Sequence, residues 1–184
     1  LLHRPTIRAH IKDAVSSWLG TLTDPTSAEL DICLKLDTVD GEPSYIIRRI
    51  VGAPWVKLLH ERGLLAVWLA SPDPDRKQFA LRLLDAAVDG EGVLAAEVLR
   101  AWWDNDAARI AELLHWLRHP RAGNDMTAIA NLYVDVIAQT PNEIVEGDGF
   151  PDAADLGMWA HHGSPEVARL LEAWIRRWYR AHPT

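Results

Sequence analysis

Glu112, His115 and His119 fall at i, i+3 and i+7, the spacing that puts three metal-ligating side chains on one helical face. Two imidazoles at i, i+4 can reach one ion, and a carboxylate a turn earlier can supply a third ligand. The surroundings argue against a metal centre. There is no His-Glu-x-x-His and no second Glu-x-x-His segment, and beside Pro120 both imidazoles suit a helix C-terminus, where imidazolium meets the negative end of the dipole. No metal or other cofactor is expected, and a small helical metal-dependent enzyme or metal-binding protein using His115 and His119 is the alternative reading. His161 and His162 are adjacent and diverge by about 100° on a helix, so they read as a solvated helix end with Gly163 as its C-cap.

The remaining chemistry is charge. No Lys or Arg occurs between Arg121 and Arg169, and the run 143–152 carries Glu143, Glu146, Asp148 and Asp152. It reads as an exposed acidic loop; the Asp-x-Asp/Asn-x-Asp/Asn-Gly register of a calcium loop is missing. The last helix reverses the sign: Arg169, Glu172, Ala173, Arg176 and Arg180 run along the face away from a Val167, Leu170, Leu171, Trp174, Trp178 stripe, with Arg177 nearby. Glu172 and Arg176 form a favourable i, i+4 pair. These eight charged residues, 143, 146, 148, 152, 169, 176, 177 and 180, are the expected partner-binding positions, through salt-sensitive complementarity. Catalytic residues are not expected. Cys33 lies between Ile32 and Leu34 in an apolar run, and no serine stands in a Gly-x-Ser-x-Gly elbow.

The elements that must position these groups read as helices throughout. Asp24-Pro25 and Thr26/Glu29 offer competing starts for one helix, a cap followed by Pro or a capping box. Asp73-Pro74 and Ser164-Pro165 repeat the cap-then-Pro device, and Asp125 can cap a run in which Met126, Ile129, Ala130, Tyr133, Val136 and Ile137 keep helical spacing. Helices are expected over 6–19, 26–36, 44–51, 54–70 with a break at Gly63, 74–88, 92–103, 106–118, 126–139, 152–162 and 165–181. Trp18-Leu19, Trp68-Leu69 and Trp116-Leu117 each precede a Pro-marked turn, with the Trp positions 50 and 48 residues apart. Stacked helical pairs produce such recurring helix ends, so residues 1–184 are expected to form one all-α domain of HEAT-like antiparallel pairs, an α-solenoid, with an irregular helical bundle as the alternative.

Arg4-Pro5-Thr6-Ile7-Arg8, Ala14–Leu19 and Thr23–Thr26, with Val51–Leu59 and Gly63–Ala70, resemble the helical-repeat segment of large bacterial signalling NTPases of the STAND class, whose ATPase domain is NACHT-like. The resemblance covers roughly residues 4–88 and rests on scaffold Trp, Leu and Pro positions. It implies a segment that senses a ligand or partner and restrains or releases an ATPase carried elsewhere. The Gly-x-x-x-x-Gly-Lys-Ser/Thr phosphate loop does not occur, so the resemblance carries no ATPase residues over to this sequence.

Composition bounds the rest. The chain has 184 residues, 48% apolar and 24% charged, with a formal charge of −7. That is ample for a core and wrong for the basic footprint of a nucleic-acid binder. No run approaches the roughly 18 apolar residues of a membrane span, and a lone cysteine allows no internal disulfide. The Leu1-Leu2-His3 start without a signal-peptide pattern reads as part of a longer cytoplasmic protein. The partner expected is another protein, or other domains of the parent chain, with neither nucleic acid nor membrane. The functional reading is a non-catalytic scaffold or sensor module.

Overall fold

The computed structural model describes residues 5–37, 53–120, 126–161 and 166–183; those residues are mostly helical and contain no strand. The helices are α1 (Pro5–Leu19), α2 (Ser27–Asp37), α3 (Ala53–Glu61), α4 (Leu64–Leu69), α5 (Pro74–Trp103), α6 (Ala107–Leu117), α7 (Thr127–Gln139), α8 (Asn142–Val145), α9 (Ala153–His161) and α10 (Val167–Ala181). The protein is therefore all-α. The expected helix 44–51, the Asp125 cap, Arg121, His162 and the Ser164-Pro165 start lie outside the described residues. The chain divides into two compact units, Leu1–Ala87 and Val88–Thr184.

In the first unit the competing starts of α2 resolve in favour of the capping box. The Thr26 N–H donates to Glu29 Oε2 at 2.8 Å, the Thr26 hydroxyl donates to the same oxygen, and the Ala28 N–H donates to Thr26 Oγ1 at 3.3 Å. The Thr26 hydroxyl first, and then its backbone N–H, hold the Glu29 carboxyl below its ordinary value. A depressed carboxyl stabilises the folded chain above the ordinary carboxylate range, and that stability is lost as pH falls through the depressed value. At α5 the cap-then-Pro device is used as expected. Asp73 Oδ1 accepts from the Asp75 N–H at 3.0 Å, and Pro74 occupies the first helical position.

The break between α3 and α4 falls at Gly63, whose φ of 70° and ψ of 6° are left-handed. Its N–H donates to the His60 carbonyl at 2.8 Å, ending α3, while its own carbonyl accepts from Val67 at 3.3 Å and opens α4. The two helices expected over 74–88 and 92–103 are both present within α5, separated by a kink at Glu91, where the backbone leaves helical geometry (φ −135°, ψ 42°). Core positions of this unit include Leu30, Cys33, Trp55, Leu59, Leu65 and Phe79, with Trp68 packed at a tilt on Phe79, 5.6 Å between centroids.

Each Trp-Leu pair occupies the last two positions of its helix, α1, α4 and α6. Leu19, Leu69 and Leu117 are all buried, as are Trp68 and Trp116, whereas Trp18 is 43% exposed. The carbonyls of Trp18 and Trp68 accept N–H bonds from Thr21 and Ser71, three residues on, so the turns leave α1 and α4 in the same way.

In the second unit α7 is the central helix, packed against both α6 and α10. All six residues of its expected stripe, Met126, Ile129, Ala130, Tyr133, Val136 and Ile137, are buried, and Leu132 adds a second buried face. Asp104 and Asn105 turn α5 into α6 with consecutive left-handed φ values of 44° and 56°, which short polar side chains tolerate. Asp106 then caps α6, accepting from the Ala108 N–H at 3.0 Å. At the far end of α6 the indole N–H of Trp159 donates to the Leu117 carbonyl at 3.1 Å.

Gly63→Ala isolates the backbone term at the α3–α4 break, because a Cβ there meets nothing within 4 Å. The expected outcome is a loss of roughly 1–2 kcal/mol, seen as a lower urea midpoint at constant slope. An unchanged midpoint would contradict the left-handed assignment.

Candidate functional site

The segment that follows α7 is less loop-like than its composition implies. Thr140 seals the helix end: its N–H donates to the Ile137 carbonyl at 3.2 Å and its hydroxyl to the Val136 carbonyl at 2.8 Å. Pro141 is extended, and the four-residue α8 then carries Glu143 on an exposed position. Sequence periodicity gave no sign of α8, which is too short to show a stripe. Phe150 and Pro151 are buried and anchor the segment from below. Asp152 does more than add charge, since it caps α9: Oδ1 accepts from the Ala154 N–H at 2.7 Å and the Asp155 N–H at 2.9 Å. Asp155 Oδ2 accepts the Asp152 N–H in return at 3.1 Å, a capping box made of two aspartates.

Arg177, one of the expected partner-binding positions, does not face solvent. It is buried, with Nε donating to the Thr140 carbonyl at 2.6 Å and Nη2 donating to Asn142 Oδ1 at 2.5 Å. The reason is register. Val167, Leu170, Trp174, Arg177 and Ala181 step by three and four residues, so Arg177 stands on the inward stripe of α10 despite its charge. Its guanidinium meets the C-terminus of α7, where carbonyls lack intrahelical donors and the dipole favours a cation. Arg177 is therefore a structural clamp and leaves the set of partner-binding candidates.

The other arginines of α10 face solvent. Arg169 Nη1 donates to Asn131 Oδ1 of α7 at 3.0 Å. Arg176 pairs with Glu172 at 2.5 Å, as the i, i+4 spacing predicts, with both side chains more than half exposed. Arg180 has no partner among the described residues. Nor does any ion pair among them join Glu143, Glu146, Asp148 or Asp152 to Arg169, Arg176, Arg177 or Arg180.

The acidic segment and α10 instead face each other across a cleft of about 600 Å³. Trp174 and Trp178 line it from α10, and Val145, Phe150 and Pro151 add further apolar lining. The two indoles are stacked, 5.8 Å between centroids and 14° between planes, and Trp178 stacks in turn on His182 at 4.0 Å. The Trp174 indole N–H donates to the Pro151 carbonyl at 3.0 Å, which ties α10 to the segment it faces. Glu146, Asp148, Asp152 and Asp155 are the acidic residues of the lining, and Arg118 is its basic one. Arg118 Nη2 donates to the Asp148 carbonyl at 2.9 Å, while the buried Nε lies 3.7 Å from Asp155 Oδ2 and has no hydrogen-bond partner among the described residues. Glu146 and Asp148 have no side-chain partner among the described residues.

The Glu112, His115, His119 face does not come together as a ligand set. His115 is exposed on α6, while His119 lies past its end with Nδ1 at 3.9 Å from Asp155 Oδ1. His161 is exposed at the end of α9. Among the described residues no group of three or more His, Cys, Asp or Glu could hold a metal ion. Cys33 is buried, and no described helix is long and apolar enough to cross a membrane. Comparison with protein-family models, with curated proteins and with solved structures gives no match.

One titratable group near the cleft is strongly displaced. Tyr133 is fully buried on α7 and packs at a tilt on Trp159, and its hydroxyl has no hydrogen-bond partner among the described residues. Burial first, and then the negative charge of Asp155, push its phenol well above the ordinary tyrosine range, with Arg118 opposing. A phenol whose folded pKa is raised leaves stability intact below the ordinary value of about 10 and withdraws it as pH climbs through the folded value. Absorbance titration should therefore show Tyr133 ionising later than an ordinary tyrosine, together with alkaline unfolding. Tyr133→Phe should delay that unfolding. Ionisation of Tyr133 in step with a free tyrosine would contradict its placement.

Proposed function

We propose that this chain is a non-catalytic helical interaction module, a regulatory segment of a larger bacterial signalling NTPase of the STAND type. In this reading its helices stack as HEAT-like pairs, and a protein partner, or another domain of the parent, binds the C-terminal unit. The helix-end placement of Trp18, Trp68 and Trp116, each followed by a buried Leu, supports the stacking. The observation that carries the interaction reading is charge left unspent. Glu146, Asp148 and Arg180 have no side-chain partner among the described residues, and the acidic and basic sets make no ion pair with each other. Exposed, uncompensated charge of both signs steers and orients a partner more than it stabilises the fold.

The test is charge reversal of Arg176→Glu and Arg180→Glu together in the full-length protein. Affinity capture from the native host, followed by reconstitution with the purified captured partner, should show binding weakened by about tenfold or more and a steep salt dependence in the wild type. The melting temperature should hold, because the Glu172–Arg176 pair is exposed and contributes only a few tenths of a kcal/mol. Full binding by the folded double variant would remove the outer face of α10 from the interface.

A further inference from the structure

We propose that the cleft between α10 and the 145–155 segment binds an organic cation, an alkyl-borne guanidinium or ammonium group. The inference rests on the reading of the C-terminal unit as a recognition surface and names what that surface takes.

The lining sets the ligand's chemistry. Four acidic residues line the cleft against one guanidinium, Arg118, whose Nη2 donates to the Asp148 carbonyl and whose Nε lies 3.7 Å from Asp155 Oδ2 with no hydrogen-bond partner among the described residues. An anion would meet net negative charge, whereas a cation would meet Glu146 and Asp148, which no other side chain occupies. Asp152 and Asp155 are spent on capping α9, so they contribute field more than direct bonds. A bare divalent ion is the poorer fit, since it requires several oxygens converging at one point and no such group occurs among the described residues.

The apolar half of the lining excludes a bare ammonium ion as the best occupant. Trp174, Trp178, Val145 and Phe150 make the lining partly apolar, which rewards an aliphatic stem. The volume, about 600 Å³, falls in the range of small-molecule sites and exceeds one side chain, so the cleft takes the group with its stem and the atoms that bear it. The walls are also fixed before binding. Trp174 is hydrogen-bonded to Pro151, Arg118 to the Asp148 carbonyl and Arg177 to Thr140 and Asn142, so little ordering cost remains for the ligand to meet. Two sources share this chemistry, a free alkyl cation and an Arg or Lys side chain on a peptide.

Calorimetry on the full chain separates the outcomes. The probes are butylguanidinium, its neutral isostere butylurea, and an acetylated, amidated Gly-Arg-Gly peptide. Butylguanidinium should bind and butylurea should not, and Glu146→Gln with Asp148→Asn should weaken binding by about tenfold or more. Both substituted side chains are exposed, and circular dichroism should show the fold unchanged. Tighter binding of the peptide identifies a side-chain source, and equal or tighter binding of butylguanidinium a free one; either supports the site. Equal binding of butylurea, unaltered affinity in the double variant, or no heat from any cation at about 10 mM overturns it. The wild-type comparison with butylurea stands even if the variant misfolds. Loss of this site with partner binding still sensitive to Arg176 and Arg180 would sink the inference alone, leaving the interaction reading in place.

Discussion

The C-terminal unit depends on one buried cation. Arg177 carries a formal charge into the packed side of α10 and pairs it with neutral oxygens, the Thr140 carbonyl and Asn142 Oδ1. Burying a charge is costly, and two considerations decide that this one stabilises. A guanidinium is more weakly hydrated than an ammonium, and it meets a helix C-terminus whose carbonyls would otherwise be buried without donors. Removing it would strand the buried Thr140 carbonyl, at a cost of about 1–3 kcal/mol. The bond also closes a chain of satisfied groups that begins with the Thr140 hydroxyl on Val136 and ends where α8 starts.

The cleft follows from that clamp. Once α10 is set against the end of α7, Trp174 reaches the Pro151 carbonyl and Trp178 stacks beside it. The opposite wall is held independently by Arg118 and by the Asp152–Asp155 capping box. Acidic groups that an exposed loop would scatter are thus kept on one side of an aromatic surface. Their repulsion is tolerated because Asp155 faces Arg118 and Asp152 serves the N-terminus of α9, where negative charge is favoured. Glu146 and Asp148 are left as the uncompensated remainder.

Much of the helical framework was legible from local chemistry. Gly63 marked a break because only a left-handed residue joins α3 to α4, Asp73-Pro74 marked the start of α5, and the stripe of α7 is buried at every expected position. These signals live within a few residues of one another. Two misreadings have physical causes. Arg177 was grouped by charge with Arg176 and Arg180 although its three-residue step from Trp174 places it on the inward face. Residues 143–152 read as a loop because α8 spans four residues and Phe150 and Pro151 anchor without periodicity. The cleft itself was not legible, since Arg118, Glu146–Asp155 and Trp174–Trp178 come from three separate stretches that only tertiary packing assembles.

Arg177 acts as a local clamp. Hydrogen exchange compared between the wild type and Arg177→Met, which keeps an apolar stem of similar length, tests this most directly. Amides in the last two turns of α10 and in residues 142–150 should lose protection together, by about tenfold or more, while the buried centre of α7 keeps its own. Unchanged protection in both segments, or a uniform loss throughout residues 88–184, would contradict it.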